Sequence, residues 1–133
     1  KLIGFAESAW SAERKWETID SKSEREKLLA GEWNNFATTL GTRELPRLSY
    51  LNGAYNYRVP LPGAVVENGM LKANVEYPGL EIRYTLDGTE PTNESLLYKE
   101  TIPVKSEVRL RCFDSSGKAS RVVELNKSDI ELR

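Results

Sequence analysis

Leu80, Ile82, Tyr84 and Leu86 alternate with Glu81, Arg83 and Thr85, and the run Asp87-Gly88-Thr89-Glu90-Pro91-Thr92 follows at once. This limits the fold sharply. Apolar side chains at every second position line one face of a strand, so a sheet with one buried side is required here. The strand must then stop. Asp87 can bond its own backbone two residues on, Gly88 can adopt positive φ, and Pro91 fixes its own φ while pushing Glu90 into an extended form. The same period of two recurs in Leu71, Ala73, Val75 and Tyr77 and again in Val108, Leu110 and Cys112. Candidate strands are 55–59, 64–66, 71–77, 80–86, 97–98, 107–113 and 120–125, punctuated by Gly63, Asn68-Gly69, Pro78-Gly79, Asp87-Gly88 and Ser116-Gly117. Short strands with turn signals every ~8–12 residues predict an immunoglobulin-like (fibronectin type III-like) antiparallel β-sandwich, mainly β in class.

Upstream of Gly53 the period is that of a helix. Leu2, Phe5, Ala6, Ala9 and Trp10 form one apolar stripe, and Leu29, Trp33, Phe36, Ala37 and Leu40 form another. Ser21-Lys22-Ser23-Glu24 offers a capping box to open the second helix, and Gly41 is placed to end it. Gly31 inside that helix costs up to about 1 kcal/mol relative to alanine. Two α-helices in residues 1–52, followed by a sandwich over 53–133, is the expected division. The chain starts at Lys1 inside the first helical pattern, which reads as a piece of something longer.

Composition excludes several functions. A length of 133 residues with 39% hydrophobic content is enough for a core. The net charge of -1, from 19 basic and 20 acidic residues, provides no field to attract nucleic acid or an anionic membrane. No apolar run approaches the roughly 18 residues of a membrane span, and Leu2 to Phe5, interrupted by Gly4 and Glu7, lack the long apolar core of a signal peptide. With no histidine, neither a Ser/His/Asp nor a Cys/His triad can be assembled, and the commonest metal ligand is missing. The single cysteine, Cys112, excludes an internal disulfide.

Gly79-Leu80-Glu81-Ile82-Arg83-Tyr84-Thr85-Leu86-Asp87-Gly88-Thr89-Glu90-Pro91-Thr92, with Leu97-Tyr98, Ile102-Pro103-Val104 and Phe113-Asp114-Ser115-Ser116-Gly117, resembles the C-terminal domain of bacterial chitobiases and β-N-acetylhexosaminidases. Upstream, Phe5-Ala6-Glu7-Ser8-Ala9-Trp10-Ser11 resembles the last helix of the catalytic barrel of glycoside hydrolase family 20. Trp33-Asn34-Asn35-Phe36, Leu40-Gly41-Thr42-Arg43-Glu44-Leu45-Pro46 and Tyr57-Arg58-Val59-Pro60-Leu61-Pro62-Gly63-Ala64 resemble the segment joining that barrel to the sandwich. The resemblance implies a periplasmic or extracellular retaining exo-enzyme that removes terminal N-acetylhexosamine. In that family the substrate's acetamido oxygen is the nucleophile, assisted by an adjacent Asp-Glu pair in a His-x-Gly-x-Asp-Glu motif. This chain has no histidine and no Asp-Glu dipeptide, so the resemblance implies an inherited class with the chemistry elsewhere.

The chain is therefore expected to be a structural accessory region, with the parent's barrel as its intramolecular partner. A carbohydrate-binding module is the alternative. No catalytic, substrate-binding, metal or cofactor residue is assigned, and no cofactor is expected. Trp10 and Glu13 have the wrong spacing for a sugar pocket, and Trp10 continues its helical stripe. Glu7 and Glu13 are expected to be solvated or ion-paired. Tyr50, Tyr55, Tyr57 and Tyr77 are expected to pack, with a sugar-stacking platform as the competing arrangement. Asp87, Glu90 and Asp114 are turn and loop residues rather than calcium ligands. Cys112 is expected to be buried and inert. The sequons at Asn93 and Asn126 are given no role. The helical part should expose apolar surface, and the isolated chain should self-associate.

Overall fold

The computed structural model describes residues 2–10 and 14–126. They form two compact units, one ending at Phe36 and one beginning at Ala37. The first unit contains α1 (Leu2–Trp10), a 3-10 turn (Lys15–Thr18) and most of α2 (Lys22–Thr39). α2 opens directly after Ser21, whose carbonyl accepts the Arg25 N–H at 3.0 Å. Side chains bind the 3-10 segment to this helix. The Trp16 indole N–H donates to Glu32 at 2.8 Å, and the Arg25 guanidinium donates twice to the Ile19 carbonyl, at 3.1 and 2.7 Å. Apolar surface stays open: Trp10 is 86% exposed, Trp33 56% and Leu29 46%. The Trp33 ring lies against its helical neighbour Phe36, with centroids 5.8 Å apart.

The second unit begins where that stripe becomes buried, at Ala37 and Leu40. Gly41 does not end the helix. The chain continues through a π-helical turn, Leu40–Glu44, closed by the Leu45 N–H on the Leu40 carbonyl, and into α3 (Leu45–Leu48) with Pro46 in its first turn. The physical reason for glycine is proximity. A Cβ on Gly41 would lie 2.0 Å from the Pro78 carbonyl oxygen and 2.9 Å from Tyr77 Cβ. The turn's backbone therefore rests directly on the 77–79 segment, where only glycine fits.

Seven strands follow: β1 (Gly63–Glu67), β2 (Met70–Asn74), β3 (Glu81–Thr85), β4 (Leu96–Leu97), β5 (Ile102–Pro103), β6 (Val108–Phe113) and β7 (Val123–Leu125). They make two antiparallel sheets in a sandwich-like arrangement, ordered β1-β2-β5 and β4-β3-β6-β7. β1 and β2 pair Glu67 with Met70 across Asn68 (φ 51) and Gly69 (φ 72), the positive-φ pair a two-residue hairpin needs. The expected alternation holds. Val108, Leu110 and Cys112 are buried beside Leu71, Ile82 and Val66, with Val59, Leu80 and Val104 completing the core.

Two expected strand stretches do not form, for one shared reason. Residues 55–59 have no ladder, and β2 stops at Asn74 instead of reaching Tyr77. Extending the β1–β2 register beyond Gly63↔Asn74 would set Pro62 opposite Val75 and Pro60 opposite Tyr77. Neither proline has an N–H to donate. Val59 still enters the core, and Tyr77 packs against it. Leu86 lies beyond the end of β3 and is 45% exposed, so the buried face ends at Tyr84. The short β5 was hidden by Pro103. Where β5 ends, the Tyr98 hydroxyl takes over as partner for β2, accepting the Ala73 N–H at 3.0 Å and donating to the Leu71 carbonyl at 3.2 Å.

Candidate functional site

Asp87 does what its turn position predicts. Its Oδ1 accepts the Thr89 N–H at 3.0 Å and the Thr89 hydroxyl at 2.6 Å, while Gly88 takes φ 77 and Pro91 is fully buried. These bonds, from the Thr89 hydroxyl first, hold its carboxyl below the ordinary value. Glu90 lies 3.6 Å from Arg111. Among the described residues no three His, Cys, Asp or Glu side chains converge on a point that could hold a metal. Cys112 is buried in the core, and burial pushes its thiol up to about 11. Glu7 is exposed, whereas Glu13 lies outside the described residues.

The most densely connected polar group surrounds Asp114, which is 7% exposed. One oxygen accepts the Ser116 N–H (2.9 Å), the Ser116 hydroxyl (2.6 Å) and the Lys118 N–H (2.9 Å), and the other accepts the Tyr57 hydroxyl. Burial opposes its charge, but the bonds from Ser116, Tyr57 and Lys118 outweigh burial and keep its carboxyl below the ordinary value. Tyr57 is raised, by burial first and then by the Asp114 bond. Its hydroxyl also lies 3.0 Å from Ser49 Oγ, and the Lys118 ammonium sits 3.9 Å from its ring centroid. With its lone pairs already engaged, Asp114 is a structural acceptor that ties the end of α3 and residue 57 to the turn after β6. The sequence marked Asp114 and Tyr57 separately but gave no signal that they meet.

That knot anchors a surface loop. The Tyr55 N–H returns to the Leu48 carbonyl at 2.8 Å, closing residues 48–55 into a tight bend. Within it Asn52 (φ 48), Gly53 (φ 83) and Ala54 (φ 76, ψ 115) all have positive φ. For an alanine this conformation costs on the order of 1–3 kcal/mol and persists only when its surroundings impose it. The expected aromatic set divides here. Tyr57 and Tyr77 are half-buried with partnered hydroxyls, Tyr77 donating to Glu76 at 3.0 Å. Tyr50, at 74%, and Tyr55, at 50%, stand exposed on the strained bend. The Asn52 amide donates to the Tyr55 hydroxyl at 3.2 Å. A separate shallow recess of about 280 Å³ lies between β2 and the β3–β4 edge, lined by Asn74, Glu81, Tyr98, Lys99 and apolar neighbours.

These features define a small two-sheet antiparallel β module preceded by helices, whose assembled polar residues serve its own turns. The family described as "Chitobiase/beta-hexosaminidase C-terminal domain" matches residues 44–122, and the chain belongs to that family. It is 38% identical over 97 residues to the N,N'-diacetylchitobiase of Vibrio harveyi, which covers 71% of this chain and 10% of that protein. It is 32% identical over 94 residues to the Beta-hexosaminidase of Vibrio vulnificus, which covers 71% of this chain and 11% of the relative. The chain thus spans about a tenth of the length of these relatives.

Proposed function

We propose that this chain is the non-catalytic C-terminal portion of a secreted bacterial β-N-acetylhexosaminidase, its sandwich a structural accessory domain that supports the catalytic barrel of the same polypeptide. The parent removes terminal N-acetylhexosamine from glycans or chitooligosaccharides in the periplasm or outside the cell. Family membership and the names of the relatives support the class. The observation that carries the supporting role is the apolar face of α2. Ala37 near its end and Leu40 just beyond it are buried in the sandwich unit, whereas Leu28, Leu29 and Trp33 are exposed. In this reading the barrel covers them, and residues 1–52 form the connection to the 53–133 domain.

The isolated chain should release no aryl alcohol from an aryl N-acetylglucosaminide; measurable hydrolysis overturns the claim that its residues are non-catalytic. Light scattering should show self-association that weakens in Trp33→Ala, because the face lacks its natural cover. A strictly monomeric particle that binds no apolar dye would count against the role assigned to α2.

A further inference from the structure

We infer that Asn52 is a site of spontaneous deamidation in the folded chain, and that the fold selects it over the other Asn-Gly pair, Asn68-Gly69. This modification is independent of the supporting role proposed above, and its only co-reactant is water. The backbone nitrogen of the following residue attacks the asparagine Cγ and forms a C–N bond. Its proton passes to the side-chain nitrogen, which leaves as ammonia, and water then opens the cyclic imide to aspartate or isoaspartate. Glycine in the following position favours the closure, because no Cβ hinders its nitrogen or restricts its backbone. Asn52-Gly53 and Asn68-Gly69 are the two pairs of this kind in the sequence.

Both asparagines are exposed, and both hold left-handed backbone, Asn52 at φ 48 and Asn68 at φ 51. Their surroundings differ. Closing the imide swings the asparagine ψ away from its turn value, so the reaction proceeds through transient opening, and the turn that opens more readily reacts faster. The Asn68 turn is clamped. Glu67 pairs with Met70, the next pair inward is the buried Val66 and Leu71, and the Val104 N–H donates to the Gly69 carbonyl at 2.8 Å. Opening it would pull the ends of β1 and β2 apart at the margin of the core. The Asn52 bend has no ladder, and residues 52–56 are all exposed. It is closed by the Ala54 N–H on the Leu51 carbonyl at 3.0 Å and the Tyr55 N–H on the Leu48 carbonyl at 2.8 Å. Ala54 already sits in an unfavourable conformation, so leaving the bend recovers part of that cost. The bond from the Asn52 amide to the Tyr55 hydroxyl opposes opening, but both groups are exposed and water replaces such a bond at small net cost. The product puts a negative charge at residue 52, and in the isoaspartyl form an extra main-chain carbon, inside the bonds that close the bend.

The test is peptide mapping by mass spectrometry of the intact chain held at mildly alkaline pH, with conversion at each asparagine followed over time in buffer and in guanidinium chloride. In buffer Asn52 should convert at least about fivefold faster than Asn68, the factor that a small difference in opening free energy produces. In denaturant both turns are gone and the dipeptides are the same, so the two rates should converge. Equal rates in buffer, or faster conversion at Asn68, overturn the proposal. So does a preference for Asn52 that persists undiminished in denaturant, since flanking sequence and not the fold would then select the site.

Discussion

At the residue scale, Asp114 shows how burial and hydrogen bonding compete for one carboxyl. Burial alone would raise its pKa; two backbone N–H groups and two hydroxyls reverse the sign. Between its lowered folded-state value and the unfolded value near 3.8, the folded chain binds fewer protons than the unfolded one. Its contribution to stability is therefore full above the unfolded value and is lost as pH falls through the folded one. Asp114→Asn should cost about 1–3 kcal/mol at neutral pH, since a neutral amide accepts less strongly and turns an N–H toward a donor. It should also flatten the acid limb of stability measured by urea midpoints from pH 6 downward. Asp87 is lowered too, by its bonds from Thr89, so a residual acid limb will persist in the variant. An Asp114→Asn chain with an unchanged acid limb would show that the knot is not the source.

At the element scale, two glycines in one continuous helical run separate propensity from packing. Gly31 lies on an open face of α2, where an added Cβ meets nothing within 4 Å. Gly31→Ala should raise helix content and stability by roughly 0.5–1 kcal/mol. Gly41 is buried against Pro78, where the added methyl has no room. Gly41→Ala should destabilise the sandwich unit by several kcal/mol, about 3 or more, because both the π-helical turn and the 77–79 segment would have to move. Thermal melts of the two variants should move in opposite directions; equal shifts would remove the distinction. The sequence signalled a helix stop at Gly41 because its rule concerns left-handed backbone, and close approach leaves no mark in a single sequence. The strands expected at 55–59 and 75–77 fail for a different reason. Their alternation was genuine and reports burial, as Val59 and Tyr77 confirm, but Pro60 and Pro62 remove the donors that would have made a ladder.

At the scale of the whole molecule, every residue of the buried core cluster falls between Val59 and Cys112, inside the unit that begins at Ala37. A chain starting at Ala37 should therefore unfold cooperatively, with a urea midpoint close to that of the 133-residue protein. Loss of cooperative unfolding in that shorter chain would show that residues before Ala37 belong to the same folding unit. The sequence by itself determined the change of period from helix to strand and the position of the Asn68-Gly69 and Asp87-Gly88 turns. It also determined which faces of β2, β3 and β6 are apolar, because each of these follows from neighbours a few residues apart. It likewise set the family through local runs that need no partner. Only the tertiary structure decided that Tyr57 and Ser49 meet Asp114, that Gly41 supports Pro78, and that Tyr50 and Tyr55 stay in solvent while Tyr57 does not. Those outcomes depend on which distant segments come within 3 to 4 Å of one another, a matter of chain topology and available space that no local period encodes.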